Sequence, residues 1–349
     1  MKAVVFTGDR QLALMEFDDP SPGPGEVVLE MKASGMCGTD LKTYRAPKGG
    51  AAGLGLAGAA GPVIAGHEPC GVVCAVGAGV PAAVAWIGQR AMCHHYKGCG
   101  VCRHCLTGWA QLCAKDGMVV YGANGHGGHA RYMKVPASTL VTLPDALSFE
   151  TGAAISCGTG TAFGALQRID LSGRDTIAIF GQGPVGLSAT QFAVAMGARV
   201  IALDVSPERL ARAKEFGADA VVDPRAVDPV AAIRDLTSGE GAHKSLDTSG
   251  APDARAQAVR ALRTWGVACF VGEGGTLSLD VSPDLLRRQI SIVGSWTFST
   301  VGQADCARFV EERRIDVDHL FTHRWRLDQA AEAYEVFDKQ NTGKGVFLM

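Results

Sequence analysis

The chain has 349 residues, of which 47% are hydrophobic and 19% charged, and its formal net charge is -2. That length accommodates two domains with separate cores, and that composition excludes a disordered or fibrous chain. The near-neutral balance and the lack of any long Lys/Arg run argue against nucleic acid or an anionic membrane surface as the main partner.

In chain order, Met1 leads straight into a β-type segment at residues 3–6, without the layout of a signal peptide. Further β-type runs stand at residues 26–31, 71–76 and 130–135, among many Gly and Pro residues and with no long amphipathic pattern. This texture predicts an irregular, mostly antiparallel β domain. Residues 49–66 carry no charge, but they are dominated by Gly and Ala and contain Pro62. They fall short of the roughly 20 strongly apolar residues of a membrane span and are expected to form a surface loop.

The texture changes near Phe149. Apolar runs at residues 176–180, 199–203, 220–222, 245–247 and 267–271 alternate with helical patterns at 185–196, 207–216, 230–236 and 254–264. Strand–helix alternation at this spacing predicts a parallel sheet with helices on both faces, the doubly wound α/β class. The last 50 residues return to mixed character, with one helix expected at 327–337 and a terminal strand at 346–349. No internal repeat of solenoid period is present.

Gly181-Gln182-Gly183-Pro184-Val185-Gly186 follows the first of these strands and opens a helix. Gly181 permits the tight turn, Gly183 lets backbone approach a pyrophosphate, and Gly186 allows close packing of helix on strand. Pro184 and Val185 begin the helix, whose N-terminal amides favour an anion. Asp204 lies 23 positions after Gly181 at the end of the next strand, where a carboxylate can hold ribose hydroxyls. A carboxylate there repels a 2′-phosphate and favours NAD over NADP. Arg209 pulls the other way as a candidate phosphate partner, or it is a solvated helix charge.

Eleven cysteines in a chain without a secretory signal point to metal binding in a reducing compartment, and so to a cytoplasmic location, before they point to disulfides. Cys99, Cys102, Cys105 and Cys113 form a C-x2-C-x2-C-x7-C cluster that suits a closed tetrahedral zinc site with no position for water. His104 is surplus to four thiolates and is expected to be exposed. Catalytic zinc needs three protein ligands and an open position. Cys37, His67 and Cys157 are candidates, although each also reads as a buried thiol, a turn histidine or a helix-start cysteine.

Taken together, the chain resembles the zinc-containing medium-chain dehydrogenase/reductases, the group of alcohol, polyol and threonine dehydrogenases. The resemblance runs end to end and rests on residues 36–40 (MCGTD), Gly66-His67-Glu68, the four-cysteine lobe, residues 128–132 (GHARY), Cys157, the Gly181 turn and Gly343-Lys344-Gly345. It implies a GroES-like catalytic domain at 1–152 and 296–349 and a Rossmann domain at 153–295. It implies Cys37, His67 and Cys157 as ligands of a catalytic zinc, with Glu68 as the carboxylate near the metal. Asp40 is then the partner that orients His67, a role expected for any metal-bound histidine.

The same resemblance implies that zinc acts as a Lewis acid on a substrate alcohol, whose hydride passes to the nicotinamide. Thr39 matches the hydroxyl that starts the proton relay, Thr161 the residue against the nicotinamide, and Lys344 the basic residue near the pyrophosphate. As an alternative, Lys344 is a charged edge-strand residue. A homodimer or homotetramer is also implied.

Three positions depart from the family pattern. Lys42 stands where many relatives place a relay histidine, so the relay runs through Lys42 or ends at ribose and water. Gln89 replaces a frequent acidic residue and is given no function. His95, with His94, precedes the lobe where relatives carry apolar pocket residues, which suggests a polar substrate unless both are loop-surface histidines. His126 and His129 are taken as structural, and residues 46–61 fall in the variable substrate-cleft region. Competing functions are a threonine- or aldehyde-type enzyme, a zinc-free quinone or enone reductase, and a metal-stabilised nucleotide-binding protein without turnover.

Overall fold

A computed structural model describes residues 1–48, 61–115, 117–340 and 343–349. Most of the glycine/alanine stretch expected to form a surface loop, and with it most of the 46–61 cleft segment, lies outside the described residues. The chain divides into two compact units. The first comprises Met1–Cys157, Phe298–Gln340 and Lys344–Met349, and the second is built on Gly158–Thr297.

The first unit is the irregular β domain. Its main sheet runs in the order Phe321–Arg326, Lys344–Leu348, Glu26–Gly35, Glu68–Val76, Arg90–Cys93, Leu140–Thr142, with Tyr132–Pro136 also paired to Glu26–Gly35. Every pairing in this sheet is antiparallel except that of the two C-terminal strands. Glu26–Gly35 is buried consecutively at 27–29 and 33–35 and alternately in between, with strands paired along both its edges. One core gathers Val4, Met36, Leu41, Tyr44, Tyr334 and Phe347, and a second gathers Val27, Leu29, Val73, Ala91 and Met133.

The second unit is a six-stranded parallel sheet in the order Ala220–Val222, Arg199–Leu203, Thr176–Phe180, Ala242–Asp247, Leu262–Phe270, Ser291–Gly294. Numbered along the chain this is 3-2-1-4-5-6, the doubly wound order whose ligand crevice opens beside the first strand. Thr176–Phe180 is that strand, and the Gly181 turn leaves its carboxyl end. The helix expected at 254–264 stops at Arg260, and the chain enters a strand at Leu262.

A 14-residue helix, Thr300–Arg313, was not anticipated by the reading of the last 50 residues. Its buried residues Gln303, Cys306, Ala307 and Val310 keep helical spacing, and Ser299 caps it by accepting the Gly302 N–H at 2.9 Å. The polar Gln303 and the adjacent Thr and Gly residues broke the apolar signal. Among the described residues no helix is long and apolar enough to cross a membrane.

Gly181 has φ +92°, and a Cβ on Gly186 would collide with the Gly181 carbonyl. Gly186→Val is therefore expected to lower unfolding free energy by about 1–3 kcal/mol in a urea titration, the usual range for overpacking.

Candidate metal centres and nucleotide turn

The strand Glu26–Gly35 delivers Cys37 to the N-cap of the short helix Gly38–Arg45. Asp40, in the first turn, accepts the Cys37 N–H on Oδ2 at 2.9 Å, which fixes the entry to the helix. Its other oxygen accepts from His67 Nδ1 at 2.8 Å. His67 precedes the strand Glu68–Val76, whose first residue pairs with Gly35, and Cys157 follows the helix Phe149–Ile155. The ligand atoms of Cys37, His67, Glu68 and Cys157 all lie within 4.8 Å of one another. The sequence reading left Cys37, His67 and Cys157 open one by one; the fold brings them together.

The electrostatics suit a cation. His67 Nε2 is buried and has no hydrogen-bond partner. A hydrogen bond with Cys157 and, against burial, the His67 ring hold the Cys37 thiol well below its ordinary range. The shared hydrogen bond and burial push the Cys157 thiol up. Burial lowers the His67 pKa, but the Asp40 carboxylate and Cys37 outweigh it and raise the value well above normal. Two sulfurs, an orphaned imidazole nitrogen and a nearby carboxylate are a donor set that fits zinc.

Glu68 is fully buried, and Lys344 meets it at 2.5 Å. Burial raises the Glu68 carboxyl to about 7 against the pull of Lys344. Lys344 also donates to the Met36 carbonyl at 3.2 Å and is 2% exposed on a strand paired on both sides, so it is not a charged edge residue. Thr39 is half-buried in the same helix as Asp40 and Lys42.

In the lobe, Cys102 and Cys105 sulfurs lie 3.5 Å apart, and Cys99–Cys105 and Cys102–Cys113 are each 4.0 Å apart. A tetrahedron with Zn–S of about 2.3 Å has edges of about 3.8 Å, so four thiolates fit zinc without rearrangement. Backbone amides of Cys99 and Cys102 donate to the sulfurs of Cys113 and Cys99 at 3.3 Å. The backbone amides of Cys105 and Ala114 draw the Cys102 thiol down to about 6. His104 is half-buried rather than exposed and stands outside this group. All eleven cysteines are free of disulfides.

His94 and His95 are buried, which removes the loop-surface alternative. His95 Nδ1 lies 2.8 Å from the Ser156 carbonyl, and its ring centroid is 5.2 Å from that of His67. Burial, reinforced by His67, lowers its pKa well below normal, so the ring is neutral. Gln89 is structural: its amide donates to Thr142 Oγ1 at 3.0 Å.

At the nucleotide turn, Gly183 caps a helix beginning at Pro184 and Val185. Asp204 accepts the N–H of Gln182 at 2.6 Å and that of Ser206 at 2.8 Å, with Arg209 at 3.9 Å. Arg209 thus faces the carboxylate instead of projecting as a solvated charge. Thr161 is buried in the helix Gly158–Arg168.

Residues 23–145 match the alcohol dehydrogenase GroES-like domain, and residues 184–312 match the zinc-binding dehydrogenase domain. An uncharacterized zinc-type alcohol dehydrogenase-like protein of Escherichia coli is 37% identical over 99% of this chain and 98% of its own. The L-threonine 3-dehydrogenase of Pyrococcus abyssi is 31% identical over 96% of this chain and 94% of its own. The alcohol dehydrogenase of Thermus sp. ATN1 superposes with a TM-score of 0.89 at 27% identity, covering 100% of this chain and 99% of that one. The chain belongs to the zinc-containing medium-chain dehydrogenase/reductase family, with a GroES-like domain and a Rossmann domain, and is a zinc-dependent oxidoreductase.

Removing one partner of the Glu68–Lys344 pair leaves a buried charge uncompensated. Lys344→Met is expected to cost about 3–5 kcal/mol in chemical denaturation, and the Lys344→Met/Glu68→Gln double variant to recover much of that loss.

Proposed function

We propose that this oxidoreductase transfers a hydride between an alcohol or polyol, or its carbonyl product, and NAD. The observation that carries the reading is the convergence of Cys37, His67 and Cys157, with Glu68 beside them, in a chain that also holds the Gly181 turn and Asp204. Bound by Cys37, His67 and Cys157, zinc would supply Lewis acidity that lowers the pKa of the substrate hydroxyl. A second zinc in Cys99, Cys102, Cys105 and Cys113 would pin the lobe and take no part in the chemistry.

The chain's own residues divide the remaining work. Thr39 offers a hydroxyl that can pass the substrate proton on, and Asp40 keeps the proton of His67 on Nδ1. The turn Gly181, Gly183 and Gly186 brings backbone close to a pyrophosphate, with the amides at Pro184–Val185 heading a helix that favours the anion. Asp204 spends two of its lone pairs on backbone amides and retains others for ribose hydroxyls. Its charge disfavours a 2′-phosphate, and Arg209 tempers that preference from 3.9 Å. Thr161 is proposed beside the nicotinamide and Lys344 as the basic residue of the cofactor side, holding Glu68 at the same time.

His95 supports a polar substrate. A carbonyl can only accept, so Nδ1 carries the proton to Ser156 and Nε2 of this neutral ring remains an acceptor. A substrate with a second hydroxyl would satisfy it. The relatives being enzymes of small molecules, we take the protein to act on a soluble substrate in the cytoplasm as a homodimer or homotetramer.

Metal analysis should give two zincs per chain, and mild chelation should remove one together with NAD-linked turnover of polyols. A single zinc with no such turnover contradicts the proposal. Asp204→Asn should cut the kcat/KM preference for NAD over NADP by about tenfold or more, the scale of one charged hydrogen bond. An unchanged ratio removes Asp204 from cofactor choice.

A further inference from the structure

The nucleotide turn contains a buried side chain to which the proposed chemistry gives no role. Gln182 stands between Gly181 and Gly183, so it alone of these three residues has a side chain that can anchor the turn. That side chain is 0% exposed, an unusual place for a polar group in a turn. Its Nε2 donates to the Ile179 carbonyl at 3.0 Å, and the hydroxyl of Thr190, on the helix Pro184–Ala195, donates to its Oε1 at 2.9 Å. A carbonyl only accepts, so the amide has one orientation, and both of its ends are satisfied. Thr190 is also 0% exposed.

The backbone of the same residue faces Asp204. The Gly181–Gln182 peptide leaves the end of the strand Thr176–Phe180. Its N–H donates to Asp204 Oδ2 at 2.6 Å, and its C=O accepts from the Thr248 hydroxyl at 3.0 Å. In a trans peptide these two groups point in opposite directions. Asp204 follows the strand Arg199–Leu203 and Thr248 follows Ala242–Asp247, the two neighbours of Thr176–Phe180 in the sheet. One peptide is therefore held from both flanking strands. Thr248 is itself fixed: its N–H donates to the Phe180 carbonyl at 2.9 Å, and the buried Asp247 carboxylate accepts the N–H of Ser249 at 3.0 Å and of Gly250 at 3.1 Å. Without these grips, glycine on both sides would leave the peptide free to turn. Asp204 depends on its direction, because Oδ2 takes this amide and Oδ1 that of Ser206 at 2.8 Å. With one amide lost, the carboxylate could swing about the other.

We propose that Gln182, Thr190 and Thr248 are positioning residues for Asp204: they fix the Gly181–Gln182 peptide so that its N–H aims the carboxylate at the ribose hydroxyls, and so sharpen the choice of NAD over NADP. The inference rests on the reading of Asp204 as the ribose carboxylate. The three act through Asp204 and require no contact of their own with the cofactor. A merely structural role predicts something different. General loosening of the turn weakens NAD and NADP alike, since both lay the same pyrophosphate on it. A misaimed Asp204 costs NAD its ribose contact while relaxing the repulsion of a 2′-phosphate, so the two affinities move apart.

The test is titration of NADH and NADPH, followed by their own fluorescence, into the zinc-loaded full-length protein. Asp204→Asn comes first. A fall in the ratio of the NADPH Kd to the NADH Kd supports the ribose reading; an unchanged ratio, or binding of neither cofactor, overturns that reading and this proposal with it. Given the fall, Thr190→Val and Thr248→Val, which remove a hydroxyl and keep the side-chain shape, should each lower the ratio by about two- to tenfold, the scale of one hydrogen bond. Thr190→Ser and Thr248→Ser, which keep the hydroxyl, should stay near wild type. In the Asp204→Asn background Thr190→Val should change the ratio no further, because its effect passes through the carboxylate. An unchanged ratio in the valine variants, or equal weakening of NADH and NADPH, would overturn the proposal while leaving the ribose reading standing. So would serine variants no better than valine, or a full additional effect in the Asp204→Asn background. If one valine variant does not fold, the other decides by the same criteria.

Discussion

The hydrogen bond of 2.8 Å between His67 Nδ1 and the Asp40 carboxylate is the constraint on which the metal group depends. Asp40 is not a free side chain brought up to a histidine. It sits in the first turn of the helix that Cys37 caps, and it also takes the Cys37 N–H. One carboxylate therefore sets the backbone of Cys37 and the tautomer of His67, the proposed sulfur and nitrogen ligands, together. Loosening it would disturb two ligands at once, which is why a short helix of eight residues carries so much of the site.

Charge balance around that carboxylate follows a consistent scheme. Glu68 and Lys344 form an ion pair in full burial, and the thiols of Cys37 and Cys157 are shifted in opposite directions, Cys37 down and Cys157 up. A divalent cation would add its charge to a group that already holds acidic sulfur, and His67 Nε2 is a buried nitrogen there without a hydrogen-bond partner. The lobe solves the same problem by other means. Its sulfurs are supported by backbone amides rather than by a buried base, in keeping with a structural role.

Much of this was legible in the sequence where chemistry is concentrated in short spacing. The C-x2-C-x2-C-x7-C run and the Gly181 turn with Asp204 read directly, because local geometry alone decides them. Cys37, His67 and Cys157 were each ambiguous alone and gained meaning from resemblance, since only the antiparallel pairing of Gly35 with Glu68 and the helix ending before Cys157 bring them together. Lys344 read equally well as an edge-strand charge; its burial depends on the pairing of Val346 with Gly35, and its side chain reaches the Met36 carbonyl 308 residues away in sequence. His129 looked structural in its glycine-rich turn, and Tyr334 carried no signal. The hydrogen bond between them is purely tertiary. The missed Thr300–Arg313 helix shows the opposite failure, a sound period masked by a buried Gln303.

The most direct test of the account is anomalous diffraction at the zinc edge from crystals of the zinc-loaded protein. The account predicts a peak bonded to Cys37 Sγ, His67 Nε2 and Cys157 Sγ, with Zn–S near about 2.3 Å and Zn–N about 2.0–2.1 Å, besides a peak among the four lobe cysteines. A zinc peak confined to the lobe, in crystals grown with zinc in excess, would contradict it.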